Sequence, residues 1–91
     1  MKLTYEYLHF EELPTATPRT TKIWACKNNK HGFLLGWVEW EVAWRQYCFL
    51  TNPVDDEGHK NTIVLSSGCM QDIAEFLQKV NLAHKESKHE D

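Results

Sequence analysis

Cysteine pairs at metal-ligand spacing, glycine-rich phosphate loops and long apolar runs are all missing from this 91-residue chain. No CxxC occurs, and the three cysteines, Cys26, Cys48 and Cys69, are widely separated and odd in number. That argues against a zinc ribbon, a thioredoxin-like motif and a fully paired disulfide framework. It leaves reduced thiols packed as small hydrophobes. No stretch approaches the roughly 18 apolar residues of a membrane helix. Glu6, Glu11 and Glu12 interrupt the N-terminal region, which does not read as a signal peptide. The expectation is a cytoplasmic protein with no membrane partner. Positive charge is also short. Ten lysines and arginines face 13 aspartates and glutamates, for a net charge of −3. Such a balance supplies no general attraction for nucleic acid.

Catalytic and cofactor signatures are absent in the same way. Ser66 and Ser67 lack nucleophile-elbow glycines, and no histidine is placed beside Cys48 or Cys69 by sequence. Asp55, Asp56 and Glu57 lack the spacing of a calcium loop. His9, His31 and His59 stand alone, and His84 and His89 do not fall one helical turn apart. No catalytic residue, metal or cofactor is therefore expected, and the chain reads as non-enzymatic.

Tryptophan is what the sequence has in excess. Trp24, Trp37, Trp40 and Trp44 fall within a short stretch. Large rings give a small domain much apolar area for few ordered residues.

The periodicities outline the elements. Leu3, Tyr5 and Tyr7 alternate with polar residues as in a strand, although Leu3, Tyr7 and Phe10 also fit a short helical face. Residues 14–21 carry Pro14 and Pro18 and read as an extended connector. Lys22 to Lys27 reads as a strand, and Asn28 to Gly32 as a polar reversal in which Asn29 or Gly32 takes positive φ. Phe33 to Ala43 is preferred as a strand, with Leu34, Gly36, Val38, Trp40 and Val42 on one side. Phe33, Leu35, Trp37, Glu39 and Glu41 lie on the other, which turns from apolar to acidic along its length. The rival helix follows Phe33, Trp37, Trp40 and Trp44. Gly36 and the β-branched Val38 and Val42 weigh against it.

Arg45 to Thr51 reads as the next strand, which demands a reversal near Ala43 and Trp44 where no usual turn residue stands. Asn52 to Lys60 is a loop, and Thr62 to Leu65 a short further strand. Ser67 is placed to cap a helix starting near Gly68, with Asp72 close to its positive end. Cys69, Ile73, Phe76, Leu77 and Val80 form its apolar stripe, and Asn81 is placed to end it. Glu75 and Lys79 form an i,i+4 pair on the wet side.

The sum is an α+β fold, an antiparallel meander of roughly three to five strands packed on one C-terminal helix. Residues 1–82 form a single domain, with an N-terminal arm and connector over 1–21. Residues 83–91 have nothing to bury and form a disordered or frayed tail.

Thr20, Thr21, Lys22 and Trp24, then Leu35, Gly36 and Trp40, then Trp44, Arg45, Tyr47 and Phe49, then Asp72 to Asn81, together resemble a family of small uncharacterised bacterial and phage-associated proteins. The sequence departs from that pattern at Thr20-Thr21, where the family has lysine-threonine. It departs again between Trp40 and Trp44, where a glycine-like turn residue is expected. The resemblance implies α+β architecture and brings no settled activity.

Trp44, Arg45 and Tyr47 form the densest constellation. On a regular strand Arg45 and Tyr47 share one side. Together with Trp37 they would present a cation and rings to a partner, as binding hot spots do. In the structural alternative Arg45 pairs with Glu39 or Glu41 and the rings fill core. A helix covers only one sheet face, so the rings on the other need a cover. The N-terminal segment, a second copy or another protein could supply it. The favoured function is a protein-interaction or self-association module using Trp37, Trp44, Arg45 and Tyr47. The alternatives are nucleic-acid binding through the same rings with Lys22, Lys27, Lys30 and His31, and an enzyme without a sequence signature.

Overall fold

The computed structural model describes residues 1–15, 21–54, 57–60 and 63–88. The first hairpin turn is set by an asparagine and a glycine, the second by a backbone carbonyl and an arginine. Asn28 opens the first hairpin. Its Oδ1 accepts from the amides of Lys30 at 2.8 Å and His31 at 3.0 Å, and its carbonyl accepts from Gly32 N–H at 2.7 Å. Gly32 takes the left-handed conformation at φ 71°, as glycine does without a Cβ clash. This joins β2 (Trp24–Asn28) to β3 (Leu34–Glu41). The second hairpin joins β3 to β4 (Gln46–Thr51) through residues 42–45. The Glu41 carbonyl accepts from the amides of Trp44 at 3.2 Å and Arg45 at 2.8 Å. Arg45 itself holds φ 54°, so an arginine occupies the position a glycine normally takes. The strand thus begins one residue later than expected, and Arg45 belongs to the turn.

β1 (Leu8–Glu12) precedes these strands, and the sheet runs β1-β2-β3-β4, antiparallel throughout. With the helix α1 (Ser67–Lys88), this is the expected α+β meander. A bulge between Cys26 and Lys27 shifts the β2–β3 register. Gly36 of β3 has no room for a side chain beside β4. A Cβ there would collide with the Leu50 carbonyl oxygen and fall 2.9 Å from the Phe49 ring.

Strand parity then assigns the faces. Leu8, Phe10, Trp24, Cys26, Val38 and Tyr47 are buried against Ile73, Phe76 and Val80 of the helix stripe, with Trp40 and Phe49 packed alongside. Phe76 is the centre. It stacks on Phe10 with centroids 3.9 Å apart and meets Trp24 edge-on at 5.3 Å. Glu75 and Lys79 make their i,i+4 pair at 3.7 Å.

Several expectations are corrected. The first strand is not Leu3–Tyr7 but Leu8–Glu12. The residues before it fold back along its outer edge: Tyr5 N–H donates to Leu8 O at 2.7 Å, and Phe10 N–H to Leu3 O at 2.8 Å. The Tyr5 ring enters the core beneath the helix, so the N-terminal segment covers the same face as α1. Asp72 does not serve the helix's positive end, because it lies beyond the first turn. Its carboxylate accepts from the amides of Tyr7 at 2.9 Å and Leu8 at 3.3 Å, tying helix to fold-back.

The N-cap is Ser66 rather than Ser67, its Oγ accepting from Cys69 N–H at 3.2 Å. Ile63 to Leu65 forms no strand. The outer edge of β1 is already taken, and the run leads directly into the cap, with Leu65 packed on the core. Residues 61–62 lie outside the described residues, as do 16–20 of the connector and 55–56 of the acidic loop.

The helix does not stop at Asn81 and runs on to Lys88, so residues 83–88 are helical rather than a disordered tail. His84 packs its ring on Trp40 at 4.4 Å and on Tyr47 at 5.9 Å, which gives the turn around it something to bury. Residues 89–91 lie outside the described residues.

Candidate functional site

The residues expected to form one contact surface occupy separate environments. Tyr47 lies on the helix side of β4 and is only 5% exposed. Its ring sits between Trp24 and Trp40, both centroids at 5.4 Å, and its hydroxyl accepts from Lys22 N–H at 3.2 Å. It is core and does not belong to a surface site. Trp37 lies on the opposite face, half-buried, with Ala25 and Leu50 as its cross-strand partners. Trp44 stands in the β3–β4 turn with 69% of its surface exposed, and Arg45 beside it is also exposed. Arg45 and Tyr47 therefore share no face, because the left-handed turn residue breaks the alternation that a regular strand would impose. Among the described residues Arg45 makes no ion pair, so the expected bridge to Glu39 or Glu41 is not formed either.

The second sheet face carries His9, Glu11, Ala25, Lys27, Trp37, Glu39, Glu41, Gln46, Cys48 and Leu50 by strand parity. Among the described residues no helix or strand lies over it. Trp37 and Leu50, both partly buried, and Ala25, only 3% exposed, form an apolar band across its middle, joined by the partly buried Cys48. Towards the β3–β4 turn the face becomes acidic through Glu39 and Glu41. There a shallow recess of about 340 Å³ is lined by Glu41, Trp44, Cys48, Phe49 and Leu50.

The sheet edges are treated differently. Residues 3–5 run along β1, as above. On the β4 edge the Asn81 side chain imitates a neighbouring strand. Tyr47 N–H donates to its Oδ1 at 2.6 Å, and its Nδ2 donates to the Tyr47 carbonyl at 3.2 Å. Pro53, just past β4, has no N–H to offer and ends the edge. A groove of about 600 Å³ between β4 and α1, lined by Trp44, Phe49, Leu77 and Asn81 among others, opens beside the clamp.

The thiols are free, and burial explains their chemistry. Enclosure of Cys26 pushes its thiol up to about 12, with Cys69 and Asp72 nearby adding in the same direction. Partial burial, then the Glu41 carboxylate, also raises Cys48. Such thiols are poor nucleophiles. Of the basic residues, Lys22 pairs with Glu12 at 3.5 Å and Lys27 with Glu11 at 2.9 Å. Among the described residues no group of histidine, cysteine and carboxylate side chains could hold a metal, and no helix is long and apolar enough to cross a membrane.

The chain matches no family model, no curated protein and no solved structure. Its chemistry is therefore read from its own surface. The sequence pattern pointed to Trp37 and Trp44 and set Glu39 and Glu41 on the Trp37 side of the strand, but it did not bring in Cys48 and Leu50 as their neighbours. The signal for the acids was present, in a strand face that changes from apolar to charged. The signal for Cys48 and Leu50 required the β3–β4 register.

Proposed function

We propose that this chain is a small non-enzymatic interaction module that docks another protein, or a second copy of itself, on the sheet face centred on Trp37. One observation carries the reading, the unequal covering of the sheet. The helix and the N-terminal fold-back seal one face, Asn81 and residues 3–5 engage the edges, and the face with Ala25, Trp37 and Leu50 has no layer over it among the described residues. A sheet with an apolar band is normally buried on that side too, and the parts of Trp37 and Leu50 left exposed here are a default contact surface. The setting we assign is cytoplasmic, in keeping with free thiols at Cys26, Cys48 and Cys69. The kin we assign are the small bacterial and phage-associated proteins that its motifs resemble.

Nucleic-acid binding through the same rings is the weaker reading. Glu39 and Glu41 share the face with Trp37 and repel phosphate, and Lys22 and Lys27 are engaged by carboxylates.

The test is association measured on the full chain. Sedimentation over a concentration series reports self-association, and crosslinking in the producing cells reports other partners. Trp37→Ser should reduce whichever is found while leaving the far-ultraviolet spectrum unchanged. Association that persists undiminished in both Trp37→Ser and Trp44→Ser refutes the reading.

A further inference from the structure

We infer that the occupant of this face is a basic, extended segment of another protein, carrying arginine or lysine at alternate positions. The inference rests on the docking reading above and names the partner's chemistry. Trp37, Glu39 and Glu41 project from alternate positions of β3 onto the open face. Alternate strand positions are about 6.6 Å apart, the spacing at which an extended chain presents its own side chains on one side. An indole followed by carboxylates at that interval suits a cation over the ring and further cations beyond it.

Charge complementarity selects the sign. Glu11, Glu12 and Glu75 are each paired with a lysine of this chain, whereas Glu39 and Glu41 have no ion pair among the described residues and are already half-buried. A neutral or acidic partner laid on the face would finish burying these carboxylates without compensation, which is costly. A basic partner pairs them. A second copy fits poorly. It would bring its own Glu39 and Glu41; its Lys27 is held by Glu11 at 2.9 Å, and its exposed Arg45 is a single cation in a turn rather than a row of cations at strand spacing.

The recess at the end of the row has matching chemistry. Trp44, Cys48 and Leu50 supply apolar walls and Glu41 a carboxylate. That accepts the aliphatic stem of a lysine or arginine with its charged head at the rim.

The experiment titrates the full-length chain, uniformly labelled with nitrogen-15, with a synthetic peptide of alternating arginine and threonine. An alternating glutamate–threonine peptide serves as control. The arginine peptide should shift the indole N–H signals of Trp37 and Trp44 and the amides of β3 and β4, leave Phe76 and Val80 in place, and weaken with added salt. In the E39Q/E41Q variant the dissociation constant should rise roughly tenfold. Equal binding of the acidic peptide, or unchanged affinity in E39Q/E41Q, overturns the basic partner. If affinity survives E39Q/E41Q but falls in Trp37→Ser, the face docks and only the assigned charge is wrong. If it survives Trp37→Ser as well, the docking face itself is wrong. Concentration-dependent doubling of mass through Trp37, with no response to the arginine peptide, assigns the face to a second copy and overturns the inference.

Discussion

Arg45 is the residue at which local preference and global topology disagree. A non-glycine residue in the left-handed region costs roughly 1–2 kcal/mol. The β3–β4 turn imposes that conformation at φ 54°, and its guanidinium gains no ion pair among the described residues in return. Arg45→Gly should therefore raise the unfolding free energy by about 1 kcal/mol, measured by denaturant titration with the slope unchanged. A loss of stability would mean that the arginine side chain contributes more than its backbone costs.

Cys26 gives a pH signature. Its folded-state thiol lies at about 12, above the ordinary value of 9.0, because burial disfavours the thiolate. The sign follows from proton counting. Between those values the unfolded chain has lost a proton that the folded chain retains, so stability is complete below the ordinary value and drains away as pH rises towards the folded one. Cys26→Val should flatten this alkaline decline, read from unfolding midpoints across that window. In the wild type, Cys26 should be the last thiol to react with iodoacetamide.

Tyr5 carries a related burden. Its ring is buried beside Phe10 and Phe76, and its hydroxyl has no hydrogen-bond partner among the described residues. An orphaned buried hydroxyl costs about 1–3 kcal/mol, so Tyr5→Phe should stabilise the chain.

At the scale of elements, the parts legible in the sequence were those with an unbroken period. β2, β3 and the α1 stripe were read from alternation or from 3.6-residue spacing, and the Asn28–Gly32 turn from its residue types. The errors fall where tertiary partners override local pattern. Leu3, Tyr5 and Tyr7 alternate as a strand does, yet Asp72 draws the amides of Tyr7 and Leu8 to the helix and bends the chain there. Asn81 looks like a helix terminator because its side chain commonly competes with the backbone. Here that side chain is spent on β4, so the helix continues. At the candidate site a local turn, not a distant contact, broke the pattern. Arg45 and Tyr47 seemed to share a face only while the turn residue was counted as strand. Asn81→Ala should leave α1 helical but release the β4 edge. Hydrogen exchange of the Tyr47 amide would then rise most, because its acceptor at 2.6 Å is removed.

For the whole molecule the decisive quantity is the difference between the sheet's two faces. Phe76 fills the sealed side, stacked on Phe10 at 3.9 Å and enclosed by Trp24 and Tyr5. Truncating a ring so enclosed loses its transfer free energy and leaves a cavity, at about 3–5 kcal/mol. Domains of this size have only about 5–15 kcal/mol in total, so Phe76→Ala should unfold a substantial fraction of the chain. Trp37 is larger, yet its outer side faces water, and truncating it leaves no closed void because solvent takes the space. The loss should be confined to its contacts with Ala25 and Leu50, about 1–2 kcal/mol. Paired denaturant titrations of Phe76→Ala and Trp37→Ala therefore report the asymmetry directly. Equal losses would mean that Trp37 is already roofed within the single chain, and the open face would vanish as a docking surface. A large loss for Phe76 beside a small one for Trp37 means that the part of the Trp37 ring left exposed is buried only when another surface is laid on it.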